Sequence, residues 1–275
     1  MEPISSTDNP QVKLARSLHE PSGRRKHAAF LVEGLRLVEA AAAAATPKQV
    51  FHSVAFGATD GRERALLRQL AGSGVGMRAV TDRVLQHVSD TVTPQGIVAV
   101  MPLPVRAAME HRAASAESRA VGLELILDGV GDPGNVGTLL RSAVAAGVAR
   151  TFCAPGTVDV YGPKVVRAGA GAHFQMSLFT GAQANWSAIH DSIPAGAGVY
   201  LAHARGSRPY WEVNWTRPSV LIVGSEAHGA SDAARQFATA TVTIPMAGDM
   251  ESLNAAVAAS IILFEALRQR SLTLI

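Results

Sequence analysis

Residues 123–147, LELILDGVGDPGNVGTLLRSAVAAG, contain the clearest fold signal in the sequence. It opens with the apolar run LELILD, which predicts a short buried strand. The run NVGTLLRSAVAAG follows with helical spacing of its apolar residues and ends at Gly147, a residue type typical of helix ends. A strand that leads into a helix is the repeating unit of an α/β fold.

The alternation of strands and helices continues towards the end of the chain. Further strand candidates are RTFCAPG (150–156), GVYLAHA (198–204), SVLIVGSE (219–226) and VTIPM (242–246). A long final helix is predicted from about Ser252, which is well placed as its N-cap. Strands separated by helices predict an α/β domain with a largely parallel sheet.

The segment PLPVRAAMEHRAASAESRAVG, residues 102–122, divides the sequence and is interpreted as a linker with some helix in it. Before it, the strand-like runs QVFHSVAFG and GIVAVMP alternate with the helix-like run RERALLRQLAG, and another helix is predicted from VEGLRLVEA. The predicted division is a small N-terminal α/β domain over 1–106, a linker over 107–121 and the larger α/β domain over 122–275.

Composition indicates a soluble cytoplasmic protein. Hydrophobic residues make up 48% of the 275 residues, enough for a packed core, but no apolar run approaches the ~18 residues of a membrane span. The first residues lack the apolar stretch of a secretory signal. A single cysteine, Cys153, excludes an intramolecular disulfide framework and a cysteine zinc site, and no metal is predicted.

The net charge of +3 is unevenly placed. Residues 1–106 carry 13 Lys and Arg against 9 Asp and Glu, whereas residues 107–275 carry 12 against 13. A basic first part is either an ordinary solvated face or a surface that meets a polyanion such as RNA. The candidate RNA-binding residues lie close together in the sequence. They are Lys13, Arg16, Arg24, Arg25, Lys26 and Arg36.

Gly129, Gly131 and Gly134 spell the G-x-G-x-x-G pattern of dinucleotide-binding loops, but the neighbouring residues argue against that function. Asp128 and Asp132 flank the turn and would repel a pyrophosphate. Proline 133 also removes an amide donor where a phosphate would need one.

Three segments contain candidate site residues, each with a plain structural alternative. Arg141 lies among apolar residues downstream of Asn135; its guanidinium would either hold a phosphate or developing alkoxide, or extend along the domain surface into water. In LIVGSEAHGAS, glycines at a strand's carboxyl end would let a ligand approach the backbone, or form only a turn. Ser252 and Asn254 would act in a site or merely cap the final helix.

The final helix carries one apolar stripe, formed by Leu253, Val257, Ile261 and Phe264, and much of its remaining surface is alanine. A helix this apolar is predicted to be buried, either in the core of its own domain or against a partner subunit.

Taken in order, LDGVGDPGNVGTLLRSAVAAG, LIVGSEAHG and IPMAGDMESLNAAVAASIILFE closely resemble the three motifs of the SpoU (TrmH) family of RNA ribose 2′-O-methyltransferases. The resemblance spans most of residues 123–270. The segments NPQVKLARSL and RRKHAAFLVEGLRLVEA also resemble, less specifically, the family's N-terminal substrate-binding domain.

The resemblance implies a trefoil knot near the C-terminus, a homodimer formed through the C-terminal domain, and S-adenosylmethionine as the methyl donor. By motif position it implies a cofactor site at Gly224, Ser225, Ile244, Met246 and Leu253. By the same matching it implies catalytic positions at Asn135, Arg141, Glu226, Ser252 and Asn254.

The second motif departs from the family's common G-N-E-G-x-G, because Ser225 and Ala227 replace an amide and a glycine. Gly169 also stands where relatives often carry serine. The function implied is 2′-O-methylation of a structured RNA, with ribosomal RNA favoured because a separate N-terminal domain suits a large folded RNA. Transfer RNA as substrate, or a non-catalytic RNA-binding assembly factor, are the alternatives.

Overall fold

The computed structural model describes residues 2–104, 122–248 and 251–272. The chain divides into two compact units, taken here over their described residues. The first unit comprises Met1–Pro104 and Tyr161–Phe174, and the second comprises Val105–Val160 and Gln175–Ile275. The predicted linker, residues 107–121, lies outside the described residues.

The first unit is built on a four-stranded mixed sheet in the order β1-β4-β2-β3 within its described residues. Strands β1 and β2 both run antiparallel to β4, and β3 runs parallel to β2. Its strands are β1 (Ala29–Glu33), β2 (Gln49–Ser53), β3 (Met77–Val80) and β4 (Ile97–Pro102). Its helices before the linker are α1 (Pro10–Ser17), α2 (Pro21–His27), α3 (Leu35–Ala44), α4 (Gly61–Gly72) and α5 (Asp82–Val88).

The helix predicted from VEGLRLVEA begins later than the sequence suggested. Val32 and Glu33 belong to strand β1, and Gly34 turns the chain with a φ of 92° before α3 begins. A left-handed backbone angle is inexpensive only for glycine, so this residue separates strand from helix. The apolar residues on either side fit both periodicities, which is why the pattern extended the helix too far.

The second unit holds a seven-stranded sheet in the order β7-β6-β5-β10-β8-β11-β9 within its described residues. Every strand pair in it is parallel, as the alternation predicted. The strands are β5 (Leu123–Asp128), β6 (Arg150–Cys153), β7 (Ser177–Phe179), β8 (Gly198–Ala202), β9 (Arg208–Pro209), β10 (Ser219–Gly224) and β11 (Ala240–Thr243). The helices are α6 (Pro133–Ala145), α8 (Trp186–Ser192), α9 (Asp232–Phe237) and α10 (Ala255–Leu272).

The stretch that opened the sequence analysis folds as predicted. Every residue of β5 is buried, and the side chain of Asp132 caps α6 by accepting a hydrogen bond from the backbone N–H of Asn135 at 2.7 Å. Pro133 occupies the first turn, where its missing N–H costs nothing, and Gly147 follows the helix with a φ of 83°. A carboxylate already occupies this helix N-terminus, in agreement with the rejection of a dinucleotide loop.

One segment of the second half packs with the first unit, against the predicted division at residue 122. Helix α7 (Pro163–Ala168) contacts strand β1, and the rings of Phe30 and Tyr161 lie 5.0 Å apart. Arg167 also forms an ion pair with Asp90 at 2.9 Å. These apolar and charged contacts join Tyr161–Phe174 to the first unit, and no local sequence pattern predicts them.

Candidate active site

A cavity of about 260 Å³ opens in the second unit, at the carboxyl ends of β8, β10 and β11. Because these strands are parallel and adjacent, their carboxyl ends meet at one edge of the sheet, where ligands of open α/β sheets bind. All five residues predicted to hold the cofactor line this cavity: Gly224, Ser225, Ile244, Met246 and Leu253. Glu226 and Ser252 also line it.

Beside the cavity, a three-residue polar cluster joins the three sequence motifs. One carboxylate oxygen, Oε1 of Glu226, accepts hydrogen bonds from Nδ2 of Asn135 at 2.8 Å and from Nδ2 of Asn254 at 3.0 Å. It also accepts the backbone N–H of Ala255 at 3.1 Å. The Asn254 amide donates to Oδ1 of Asn135 at 3.0 Å as well, so each member contacts the other two.

The final helix is capped by Asn254, and the prediction that Ser252 caps it was wrong. Oδ1 of Asn254 accepts the backbone N–H groups of Ala256 at 3.0 Å and Val257 at 3.2 Å. Ser252 lies two residues upstream and lines the cavity instead. Both residue types are favoured caps, and the apolar pattern alone could not choose between positions two residues apart.

Residues 225–229, which we call the second-motif loop, form a tight turn. Ser225 and Gly229 exchange backbone hydrogen bonds at 3.0 and 2.8 Å, and Gly229 has a φ of 69°. A Cβ atom on Gly224 would lie 2.8 Å from the backbone nitrogen of Ala230. Glycine is therefore required there by the chain's own turn, which is one of the two alternatives that the sequence left open.

Arg141 is exposed on α6 and does not line the cavity. It lies six residues beyond Asn135, which places the two about 9 Å apart along the helix axis and about 120° apart around it. Within the described part of the chain, Arg141 forms no hydrogen bond or ion pair. Its guanidinium is therefore free to meet a ligand outside the cavity.

The N-terminal cations are mostly at the surface of the first unit. Lys13, Arg16, Arg25, Lys26 and Arg36 are exposed. Arg24, by contrast, is only 4% exposed, and its Nη1 donates to the backbone oxygens of Leu18 at 2.7 Å and His19 at 2.9 Å. Arg24 holds the end of α1 and is not exposed enough to contact RNA, so we remove it from the candidate RNA-binding residues.

Lys13 already has an anionic neighbour. Its ammonium group lies 2.7 Å from Asp8, and this hydrogen bond lowers the pKa of the Asp8 carboxyl. The pair is exposed, so water screens it and a phosphate can compete for the lysine.

Several cavity residues were missed by the sequence analysis, namely His203, Ala204, Glu251 and Ala258. His203 and Ala204 directly follow β8, so the rule that carboxyl ends of parallel strands meet would have pointed to them. Ala258 lies in the first turn of α10, whose N-terminus borders the cavity.

Cysteine and metal chemistry find no support in the described residues. Burial raises the pKa of the Cys153 thiol to about 12, so it stays protonated and unreactive at neutral pH. No group of three or more His, Cys, Asp or Glu side chains is arranged to hold a metal ion in the described ranges. None of the described helices is long and apolar enough to cross a bilayer.

The cavity and the Asn135–Glu226–Asn254 cluster bring together, in one parallel α/β unit, the three sequence motifs that resemble those of RNA ribose methyltransferases. The chain belongs to the SpoU rRNA methylase family, whose model matches residues 122–264. Residues 9–99 match the MRM3-like substrate binding domain.

Full-length relatives agree with this assignment. An uncharacterized tRNA/rRNA methyltransferase of Synechocystis is 33% identical over 97% of this chain and 94% of its own. The 23S rRNA (guanosine(2553)-2′-O)-methyltransferase RlmP of Bacillus subtilis is 31% identical over 96% of this chain and 98% of its own. The crystal structure of the SpoU methyltransferase AviRb from Streptomyces viridochromogenes in complex with AdoMet superposes with a TM-score of 0.83 at 29% identity, covering 96% of this chain and 98% of that one.

Proposed function

We propose that this protein transfers a methyl group from S-adenosylmethionine to a ribose 2′-hydroxyl of ribosomal RNA. The observation that carries the proposal is the meeting of the second and third motifs around one cavity, with the first motif tied to them through Asn135 and Glu226. The family, and the AdoMet complex of a structurally similar relative, support the cofactor.

The lining of the cavity fits this cofactor. Val223, Ile244, Leu253 and Ile262 offer an apolar wall, which suits the adenosine and the thioether chain. Two acidic residues, Glu226 and Glu251, line the same space and suit a cation. S-adenosylmethionine supplies an electrophilic methyl group on a positively charged sulfur.

The residues around the cavity serve mainly to position the reactants. The methyl carbon and the 2′-oxygen must be held in line, and such alignment is a large part of catalysis for two-substrate reactions. The Asn135–Glu226–Asn254 cluster fixes the second-motif loop against α6 and the start of α10. Ser252, at the cavity wall and two residues before Asn254, would orient the ribose.

Arg141 has a different role from the cluster. It is exposed and carries no protein partner in the described residues, so its planar fork is available for the RNA phosphate next to the target ribose. We infer that it stabilises the developing alkoxide electrostatically. It does not act as a literal base, because a guanidinium hardly loses its proton in proteins.

The first unit would supply the affinity for RNA through Lys13, Arg16, Arg25, Lys26 and Arg36. Ribosomal RNA is the favoured substrate because the relatives with an assigned target, including RlmP, carry names that specify 23S or other rRNA. The family match over residues 9–99 also belongs to a substrate-binding domain of that group. Transfer RNA remains the alternative substrate, and a non-catalytic assembly factor is disfavoured by the complete Asn–Glu–Asn cluster.

The protein would act as a cytoplasmic homodimer through the final helix. One face of α10 is buried in its own unit, through Ala256, Ala259, Ile262, Leu263 and Ala266. Of the stripe predicted from the sequence, Leu253 precedes α10 and lines the cavity, whereas Val257 and Phe264 lie on the helix and are each 48% exposed. Exposed apolar side chains in one stripe are typical of an interaction surface, and a second copy of this chain would cover them.

The proposed activity is tested by incubating the full chain with S-adenosylmethionine labelled in its methyl group and with ribosomal RNA or transfer RNA. We expect label in ribosomal RNA, at a ribose 2′-oxygen. Calorimetric titration of the cofactor alone runs in parallel. Cofactor binding without transfer to either RNA would favour the assembly factor, and absence of binding would contradict the proposal.

A further inference from the structure

The cavity has a sign of charge opposite to that of the whole chain. The chain carries a net charge of +3, yet the charged side chains among the described lining residues are Glu226 and Glu251, with neither lysine nor arginine among them. Arg205 lies two residues from His203 but is not part of the lining. The described lining of the cavity is therefore acidic.

The two carboxylates differ in the number of hydrogen bonds that they accept from the protein. Oε1 of Glu226 accepts three N–H groups, one of them from the first residue of α10, so much of its charge stabilises the helix terminus. Glu251 is exposed and forms no hydrogen bond or ion pair in the described part of the chain. Glu251 is thus the carboxylate of the described lining that no protein donor holds in place.

The charge of the ligand changes during the reaction that we propose for this site. As the bond between the ribose oxygen and the methyl carbon forms, the carbon–sulfur bond breaks and its electron pair returns to sulfur. The sulfonium becomes a neutral thioether, and the hydroxyl proton passes to water. The methyl donor therefore carries one positive charge more than S-adenosylhomocysteine, the product that remains in the cavity.

We propose that Glu251 makes the cavity select the charged methyl donor over the neutral-sulfur product. Glu251 lines the cavity, so a bound ligand lies within about one Debye length (~8 Å at physiological ionic strength) of its carboxylate and salt does not fully screen the attraction. The attraction exists before transfer and disappears with it, which favours release of the product. The inference rests on the proposed function, because it requires that this cavity holds the cofactor.

The test is calorimetric titration of the full chain at pH 8 with three ligands. S-adenosylmethionine and sinefungin, which has a protonated amine in place of the sulfonium methyl group, are cations at this position; S-adenosylhomocysteine is not. The variant Glu251→Gln removes the charge at nearly constant shape. Glu212→Gln is the control, because Glu212 is an exposed glutamate of the same unit outside the cavity.

We expect Glu251→Gln to weaken both cations by about 2- to 5-fold, the range of an exposed ion pair. The affinity for S-adenosylhomocysteine should stay within about 2-fold, and Glu212→Gln should change none of the three. An equal loss of affinity for all three ligands would place Glu251 at a group they share and would overturn the inference. Affinities that all stay unchanged in Glu251→Gln would overturn it as well. If none of the three binds the unmodified chain, the proposed function fails as well.

Discussion

Asn254 donates a hydrogen bond from its Nδ2 to Oδ1 of Asn135 over 3.0 Å, although 119 positions separate the two residues in the chain. The same amide group also reaches Glu226, and the Asn254 oxygen caps the final helix. One side chain thus connects the first motif, the second motif and the helix that borders the cavity. The stability of this helix start and the geometry of the site should therefore depend on one residue.

Replacing Asn254 with alanine should reduce both stability and activity. The change removes an N-cap, which costs about 1 kcal/mol of unfolding free energy, and leaves the Glu226 carboxylate without one of its donors. Urea unfolding and methyl-transfer rates measure the two effects. Ser252→Ala is the matched control for stability: it should unfold within about 0.5 kcal/mol of the unmodified chain, since Ser252 does not cap the helix. A larger loss for Ser252→Ala than for Asn254→Ala would contradict this account.

The sequence predicts an element of the fold when the residues that signal it lie close together in the chain. β5 and α6 could be predicted because apolar period, cap, proline and glycine agree within one short stretch. Strands β7 and β9 were not predicted, since three and two residues are too few to show a period.

Tertiary contacts set the remaining limits. The burial of Arg24 and the attachment of Tyr161–Phe174 to the first unit depend on contacts that have no sequence pattern. The knot and the dimer came from family resemblance alone and stay predictions. The five residues predicted to bind the cofactor all line one cavity, and their role in binding stays a prediction as well.

Filling the cavity should weaken cofactor binding strongly without unfolding the protein. Ala258 lines the cavity from α10 and is only half-buried, so Ala258→Leu adds volume towards the ligand while leucine keeps a high helix propensity. We expect calorimetric affinity for S-adenosylmethionine to fall by at least about tenfold, with an unchanged unfolding midpoint. Ala145→Leu, on the exposed end of α6, is the control for the added side chain. Normal cofactor affinity in Ala258→Leu would exclude this cavity as the cofactor site.

Removing the exposed N-terminal cations should weaken RNA binding in a salt-dependent way. In the triple variant Arg25→Ala, Lys26→Ala and Arg36→Ala, each lost phosphate contact should reduce the slope of log affinity against log salt by about 0.7–0.9. Filter binding at several salt concentrations measures the slope. Arg24→Ala should behave differently, because this buried arginine holds backbone oxygens: it should lower stability more than it alters the slope. An unchanged slope in the triple variant would remove these cations from the RNA surface.

A charge on the exposed stripe of α10 should break the proposed dimer. Phe264→Asp places a carboxylate in an apolar contact, where an unpaired charge is costly, and we expect sedimentation to show a monomer. Val92→Asp is the control, since Val92 is 90% exposed in the first unit and should leave association unchanged. A Phe264→Asp protein that sediments like the unmodified chain would exclude this stripe as the interface.

In the proposed reaction the protein methylates a ribose of ribosomal RNA, and Arg141 serves the transfer rather than cofactor binding. The most direct measurement maps ribose methylations in ribosomal RNA from cells with the gene, without it, and with an Arg141→Ala copy whose cofactor affinity has been titrated. We predict one methylation that is lost without the gene and restored by the unmodified copy. The Arg141→Ala copy should fail to restore it, because transfer falls by about 10²–10³ while the cofactor still binds within a few-fold. An unchanged methylation map without the gene, or full restoration by Arg141→Ala, would contradict the account.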